Sequence, residues 1–366
     1  MVQLSTAFGA FLASRCPATL AMAPGVATPR CFTDARREHL ATRRGAGLFD
    51  FSFMSCVEIA GPASAAFLHS LQSRSLGGLQ PGRVAYTLLL RDDGTVLNDA
   101  TVWCLSEDRY WLFAGRRSDF AHISRCARQF EVAVTELAPL RAVIAIQGAA
   151  SRRIIERCFA PQRLPALPYF GFQHLRFAGG DCWLARIGYS GETGYELVTA
   201  DAAAPALWQA LLAAGADCDL RECGFDATDS LRIEAGHILF TRELVSPVTP
   251  FELGLARFVD FYRTAFPGGR ALRAQRWRAP RRRLVGLLPA ADCANDTVLP
   301  AQIGRGTAVM TSTCWSPLLE RRIGLGFVSG NDARPGATVV LAGGTRARVA
   351  RLPFYDPSRA LPRRTQ

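Results

Sequence analysis

From about residue 37 onward, apolar and polar residues alternate in patterns that resolve into short strands and helices. Phe53–Ile59 reads as a strand, Gly61-Pro62 as a turn, and Ala63–Gln72 as a helix with Ala66, Phe67 and Leu71 on one side. Val84–Leu90 and Thr95–Cys104 flank Arg91-Asp92-Asp93-Gly94, where glycine suits a turn with positive φ, and together they predict a hairpin. A further strand, Arg109–Ala114, follows the turn at Glu107-Asp108. Ser118–Gln129 predicts a helix with Ser118 as its N-cap.

The alternation continues through strands at Glu131–Glu136 and Ala142–Gln147, a helix from Ala149, and two strands around Gly179-Gly180-Asp181. The alanine-rich Asp201–Ala214 and the stretch from Asp226 to Ala235 predict two more helices. Mixed sheets with helices on one face define an α+β class. Near residue 265 the character changes. Phe266-Pro267-Gly268-Gly269 is turn-like, and Arg273–Arg283 carries six arginines around Trp277 and Pro280. Beyond it, short apolar runs at Leu284–Leu288, Gly306–Thr311, Ile323–Val328, Thr338–Leu341 and Ala347–Leu352 predict a small β-barrel. The expected division is an N-terminal segment (1–36), a body of two subdomains (37–265), a linker (266–282) and a terminal barrel (283–357).

With 366 residues, 49% hydrophobic and 20% charged, the chain has the composition of a soluble globular protein of two or three domains. No apolar run approaches the roughly 18 residues of a spanning helix. Lysine is absent, so all 43 basic residues are arginine and the formal net charge is +12. This excludes a Walker-type phosphate loop, a pyridoxal Schiff base and a lysine nucleophile. Arginine acts as a fixed charge or bidentate clamp, not as a base, and the excess favours anionic ligands or an acidic partner. The plainer reading is a set of ordinary solvated arginines. For the Arg/Trp cluster the alternatives are a nucleic-acid patch and a solvated linker; with no nucleic-acid motif beside it, the linker is preferred.

Eleven cysteines lie between Cys16 and Cys314 without a C-x-x-C pair, which points to free thiols in a reducing cytoplasm. His39, His69, His122, His174 and His237 are far apart, and no metal site is expected. The first 33 residues contain no acid and loosely resemble an organelle transit sequence; an irregular start before a cytoplasmic domain is preferred.

The chemistry is concentrated in separated motifs. Gly188-Tyr189-Ser190-Gly191-Glu192-Thr193-Gly194-Tyr195-Glu196-Leu197 sets three glycines, two acids and two tyrosines in one tight connection. Asp229-Ser230-Leu231-Arg232-Ile233-Glu234-Ala235-Gly236 follows on a predicted helix, and Thr249-Pro250-Phe251-Glu252-Leu253-Gly254-Leu255 succeeds it. Upstream stands Arg43-Arg44-Gly45-Ala46-Gly47-Leu48-Phe49-Asp50, and downstream Thr311-Ser312-Thr313-Cys314-Trp315-Ser316-Pro317. In this order the motifs resemble the aminomethyltransferase family, the T-protein of glycine cleavage and its relatives, over about residues 37 to 357.

The resemblance implies a three-domain cloverleaf around a central channel for tetrahydrofolate. By position it implies that Glu196 and Arg232 bind the pterin, which suits a carboxylate acceptor and a guanidinium fork; the alternative is a purely structural Glu–Arg ion pair. Tyr86 and Tyr189 fall on tyrosines that can line the channel, the alternative for each being a core aromatic role. The family's catalytic Asp-Asp pair corresponds to Asn98-Asp99, and Asn98 at the first position can orient a ligand but not carry charge or take a proton. Phe53 stands where the T-protein has histidine. On these grounds the resemblance implies a tetrahydrofolate-dependent one-carbon transferase, with the demethylase branch preferred over glycine cleavage. Its donor would be a small methylated compound or an aminomethyl group on an acidic lipoyl-carrier protein. The alternative is a non-catalytic folate-binding accessory protein of the iron–sulfur maintenance type. That branch carries a special cysteine in K-G-C-Y-x-G-Q-E, whereas Phe266–Leu272 here has none.

Overall fold

The first strand of the body does not pair with its neighbour in sequence; it waits nearly a hundred residues for its partner. This ordering is seen in a computed structural model that describes residues 6–364 apart from 17, 24, 25, 296–298 and 301. The chain opens with α1 (Ala7–Arg15), the hairpin β1 (Thr19–Ala23) and β2 (Val26–Pro29), α2 (Ala35–Arg44) and β3 (Ala46–Asp50). A whole second lobe then intervenes: β4 (Ser55–Ala60), α3 (Ser64–Leu71), β5 (Arg83–Leu90), β6 (Val96–Ser106), β7 (Arg109–Ala114), α4 (Asp119–Ala127) and β8 (Ala133–Glu136). The first lobe resumes with β9 (Arg141–Gln147), α5 (Ser151–Cys158), β10 (Phe172–Phe177), β11 (Gly180–Ala185), β12 (Gly194–Ala200), α6 (Ala204–Ala214), β13 (Leu220–Cys223) and α7 (Phe225–Glu234). After α8 (Gly269–Gln275) come β14 (Arg282–Pro289), β15 (Thr307–Ser316), β16 (Arg321–Ser329), β17 (Thr338–Leu341) and β18 (Arg346–Ala350).

The first lobe is a six-stranded sheet in the order β10-β11-β12-β9-β3-β13, the second a five-stranded sheet β5-β6-β7-β4-β8, and the third a closed barrel β14-β16-β15-β17-β18. The fold is therefore α+β with three lobes, ending in the expected barrel. The outer faces of the two sheets pack on their own helices, around Ile144, Leu197 and Trp208 in one case and Val57, Leu68 and Ile123 in the other. Their inner faces meet in a common core in which Trp103, Trp111 and Phe113 from the second sheet pack with Ala145, Ala185 and Val198 from the first. Both faces of each sheet are thus covered, which explains why the strands read as almost continuous apolar runs.

The β5–β6 hairpin forms where its turn chemistry places it, with Gly94 at φ +85°. Its register contains a bulge: Leu89 pairs with Asn98 but Leu90 with Val96, leaving Leu97 as the extra residue. The stretch expected as a linker contains α8, whose Leu272 is fully buried against the Gly94 turn. Ser118 stands at the predicted N-cap of α4 but makes no capping bond. The next residue, Asp119, turns inward instead, to a partner described below.

The N-terminal segment packs on the body. Thr6 caps α1 by accepting from Gly9 N, and the Asp201 carboxylate accepts from Ala7 N at 2.6 Å. Phe8 and Leu12 are buried, with the Phe8 ring 5.5 Å from Trp208. Phe8→Ala should therefore cost about 3–5 kcal/mol in a denaturant titration of the whole chain. A loss under about 1 kcal/mol would show that α1 contributes little to the body's stability.

Candidate functional site

The glycine-rich connection between β11 and β12 is tight because it wraps one side chain. A Cβ at Gly188 or Gly194 would meet the Gln147 amide oxygen at 2.0 or 2.2 Å, so a larger residue at either position would have to displace that amide. Ser190 Oγ lies 2.9 Å from the same Gln147 oxygen. The loop delivers Tyr189 to the centre and starts β12 in a register that pairs Glu196 with Ala145 and Ala185, both in the central core. Glu196 is 8% exposed, and among the described residues no hydrogen-bond or ion-pair partner meets its carboxylate. Burial alone pushes its pKa up to about 7. A small cavity among Phe49, Phe51, Gln147, Tyr189, Ser190, Thr228 and Leu231 lies at the base of the glycine-rich loop.

From the second lobe β6 brings Asp99 to the same central face. Tyr86, on the neighbouring strand, donates its phenol to Asp99 Oδ2 at 3.0 Å. Burial pushes the Asp99 carboxyl up to about 6, against the opposing effects of the Tyr86 bond and the Arg116 charge. Burial and the Asp99 charge together hold the Tyr86 phenol well above its ordinary range. The Tyr86 ring packs edge-on against Phe258 with centroids 4.7 Å apart. Tyr189 donates to the Ile238 carbonyl and stacks on His237 at 5.5 Å. Burial, reinforced by Arg359, Arg232, Arg257 and Arg43, lowers His237 to about 3, so this imidazole is neutral at physiological pH.

Asn98 is not part of this group. It was expected to face the channel, but alternation along β6 turns it to the helix side, together with Ala100, Val102 and Cys104. There it is fully buried, donating Nδ2–H to Asp119 Oδ2 at 2.5 Å and accepting from Asp99 N at 3.0 Å. This is the inward partner of Asp119, whose carboxyl burial pushes up and the Asn98 bond draws down. An aspartate at position 98 would set two carboxylates at that distance. The asparagine removes the repulsion and leaves the central face unaltered.

Arg232 also departs from expectation. It was expected to grip a pterin with Glu196, but its five N–H donors are already engaged inside the protein. Nε and Nη2 bind Asp229 at 2.8 and 2.7 Å, Nη1 binds the His237 carbonyl and Glu243 at 3.0 Å each, and Nη2 also reaches Ser312 Oγ at 2.7 Å. Burial works against its charge, and Asp229 and Glu243 outweigh it, holding the guanidinium's pKa above its ordinary value. Arg232 therefore joins α7 to the barrel. The structure brings together Tyr86 and Asp99, and sets Glu196 and Tyr189 toward the same core; it separates Asn98 and saturates Arg232.

Sequence reasoning missed His237, Phe258, Glu243 and Asp119. His237 had a signal, since it directly follows the Asp229–Gly236 motif. The others are recognised only through contacts between elements. Among the described residues no cluster of His, Cys, Asp or Glu has the arrangement of a metal site, no helix is long and apolar enough to cross a membrane, and none of the cysteines is in a disulfide.

The fold and site define an α+β protein of three lobes, in which the first sheet turns the buried Glu196 and the second the half-buried Asp99 toward a core rich in aromatic rings. The GCVT N-terminal domain family matches residues 7–263, and the glycine cleavage T-protein C-terminal barrel domain matches residues 282–356. An aminomethyltransferase of Streptomyces avermitilis is 35% identical over 351 residues, 92% of this chain and 94% of that one. One of Halothermothrix orenii is 32% identical over 337 residues, covering 90% and 94%. The crystal structure of glycine cleavage system aminomethyltransferase T from Bartonella henselae superposes with a TM-score of 0.84 at 26% identity, covering 97% of this chain and 99% of that one. The chain belongs to the aminomethyltransferase family, that of the glycine cleavage T-protein. The preference for a demethylase branch is not supported: these relatives are named aminomethyltransferases, and Asn98, one of the two departures behind it, lies off the central face.

Two substitutions distinguish a ligand-binding carboxylate from a structural one. Glu196 has a folded pKa above its ordinary 4.5, so its ionisation penalises the fold progressively as pH rises from about 4.5 through about 7. Glu196→Gln should therefore be more stable than wild type in ligand-free melts at pH 8, by on the order of 1–3 kcal/mol, with the gain vanishing below about pH 4.5. Loss of stability at every pH would show that Glu196 is a structural partner. Arg232→Met, which leaves Glu243 buried without its counter-charge, should cost roughly 3–5 kcal/mol with or without added folate.

Proposed function

We propose that this protein transfers an aminomethyl carbon from a lipoyl arm, carried by an acidic protein, to tetrahydrofolate. The observation that supports this reading is the unpartnered, buried Glu196 carboxylate on the same central face as the Tyr86–Asp99 pair. A pterin offers ring N–H and amino donors, and a carboxylate without a protein partner is the acceptor they require. Burial that costs stability in the free protein is then offset by charge-assisted hydrogen bonds when the ligand is present. Folate, when bound, supplies the nucleophilic nitrogen.

The chain's own residues bind, orient and exclude water. Glu196 holds the pterin edge, and Tyr189 on His237 forms an aromatic wall whose neutral imidazole adds no charge. Asp99, kept in place by the Tyr86 phenol, is the acceptor for protons released at the reacting nitrogen. A carboxyl near 6 is ionised at neutral pH yet basic enough to take up a proton transiently. Asn98 contributes indirectly, by fixing β6 through its bond to Asp119. The accessory-protein alternative lacks its special cysteine in Phe266–Leu272 and gains nothing from the Asp99–Tyr86 arrangement.

The discriminating assay supplies tetrahydrofolate with either an aminomethylated lipoyl carrier or small methylated amines. The expected result is 5,10-methylene-tetrahydrofolate and ammonia from the carrier; 5-methyl-tetrahydrofolate, or turnover with methylated amines alone, would reject the reading. With the carrier, kcat should fall as pH drops below about 6, the range in which Asp99 becomes protonated. Asp99→Asn should lower kcat by about 100-fold or more while folate affinity is largely kept. Asn98→Ala should leave both nearer wild type than Asp99→Asn does.

A further inference from the structure

Residues 261–291 contain eight arginines and no acid. Arg263 pairs with Asp260 and Arg282 with Glu252; among the described residues the other six make no ion pair. Arg270, Arg273 and Trp277 follow one another at three- and four-residue spacing along α8 and the turn after it, the separation at which helical residues share a side. Trp277 is 84% exposed and Tyr262 89%, an unusual investment of aromatic surface in water. The indole is not left to swing freely. The Arg276 guanidinium lies 4.4 Å from the Trp277 ring and 5.4 Å from Phe261, a stack that holds the aromatic in position.

This face is joined to the central site by consecutive contacts. Phe258 packs on Tyr86, the partner of Asp99, and carries the exposed Arg257 guanidinium 4.6 Å from its ring. Two residues on, Asp260 accepts from Tyr262 N and is bound to the β5 side of the second lobe through Ser73. The outward side of α8 and the aromatic edge of the site thus lie on one stretch of chain, from Phe258 to Trp277.

We infer that Tyr262, Trp277, Arg273, Arg276 and Arg278 form the docking surface for an acidic carrier protein that presents its lipoyl arm to the site; this rests on the functional reading above. Rigid aromatics flanked by arginine are the residue types that carry protein–protein affinity, and fixed positive charge steers a carboxylate-rich partner into contact. The occupant is a protein and not a nucleic acid because one face of the indole is already taken by Arg276, and because the same stretch leads to Tyr86, where only a tethered arm has anything to deliver.

The test uses Trp277→Ala and the double variant Arg273→Glu/Arg278→Glu in the full chain. Turnover is measured with the aminomethylated lipoyl carrier and, separately, with aminomethyl-dihydrolipoamide as a free arm. The expected result is a KM for the carrier raised roughly 10- to 30-fold, with kcat, free-arm turnover and tetrahydrofolate affinity unchanged. Wild-type carrier KM should also rise with ionic strength, and that dependence should weaken in the double variant. Variants that use the carrier as wild type does would overturn the docking surface while leaving the functional reading intact. Loss of oligouridylate binding in Trp277→Ala, with carrier KM unmoved, would reassign the face to RNA and overturn it equally. Absence of wild-type turnover with carrier and free arm alike would remove both.

Discussion

The molecule is held together by two opposite charges that α7 buries two residues apart. Arg232 and Glu234 are both fully buried. Arg232 reaches Glu243 and, in the barrel, Ser312; Glu234 receives Arg43 from α2 at 2.8 Å and Ser316 from the barrel at 2.5 Å. Arg43 continues the network to Ser190 and Glu192 in the glycine-rich loop, and stacks 4.0 Å from the Tyr355 ring. The backbone of Phe354 and Tyr355 returns to the Glu234 carbonyl, fastening the segment that leaves the barrel. Burying such charges carries a desolvation penalty, recovered here because the hydrogen-bonding capacity around them is met by the first lobe, the segment that follows α7 and the barrel. What this network provides is relative position: a loop from the first lobe, a helix and a barrel that cannot shift independently.

Against that frame of saturated charges, the two carboxylates at the centre are conspicuous for what they lack. Asp99 has one phenol, and Glu196 has no partner among the described residues. Both are raised by burial, in the opposite sense from Glu234, which Arg43 and His39 help to hold below the ordinary carboxylate range despite its own burial. The contrast separates roles without appeal to motif. Groups whose hydrogen bonds are complete maintain the fold, and groups whose burial is uncompensated are the candidates for meeting a ligand. Arg232 belongs to the first kind although its motif suggested the second.

Most of the architecture was legible in the chain. The β5–β6 hairpin followed from Arg91–Gly94, the barrel from the five apolar runs after residue 283, and the family from motifs spread over most of the sequence. The insertion of the second lobe between β3 and β9 was not legible, because local pattern carries no information about which distant strands pair. Nor was the orientation of Asn98 and Asp99. Period-two alternation states that they oppose each other, but both faces of the sheet are apolar, with Ala100 and Val102 on one and Trp103 on the other, so composition did not say which face is central. For Arg232 the deciding partners, Glu243 and Ser312, lie 11 and 80 residues away.

The central claim is that Glu196 and Asp99 meet the ligand while Asn98 and Arg232 maintain the scaffold. A crystal structure of the protein with tetrahydrofolate bound tests it most directly. The account predicts pterin N–H groups on the Glu196 carboxylate and Asp99 beside the reacting nitrogen, with Asn98 still on Asp119 and Arg232 still on Asp229, Glu243 and Ser312. A pterin held by Arg232, or by an Asn98 turned to the centre, with Glu196 left without a partner, would contradict it.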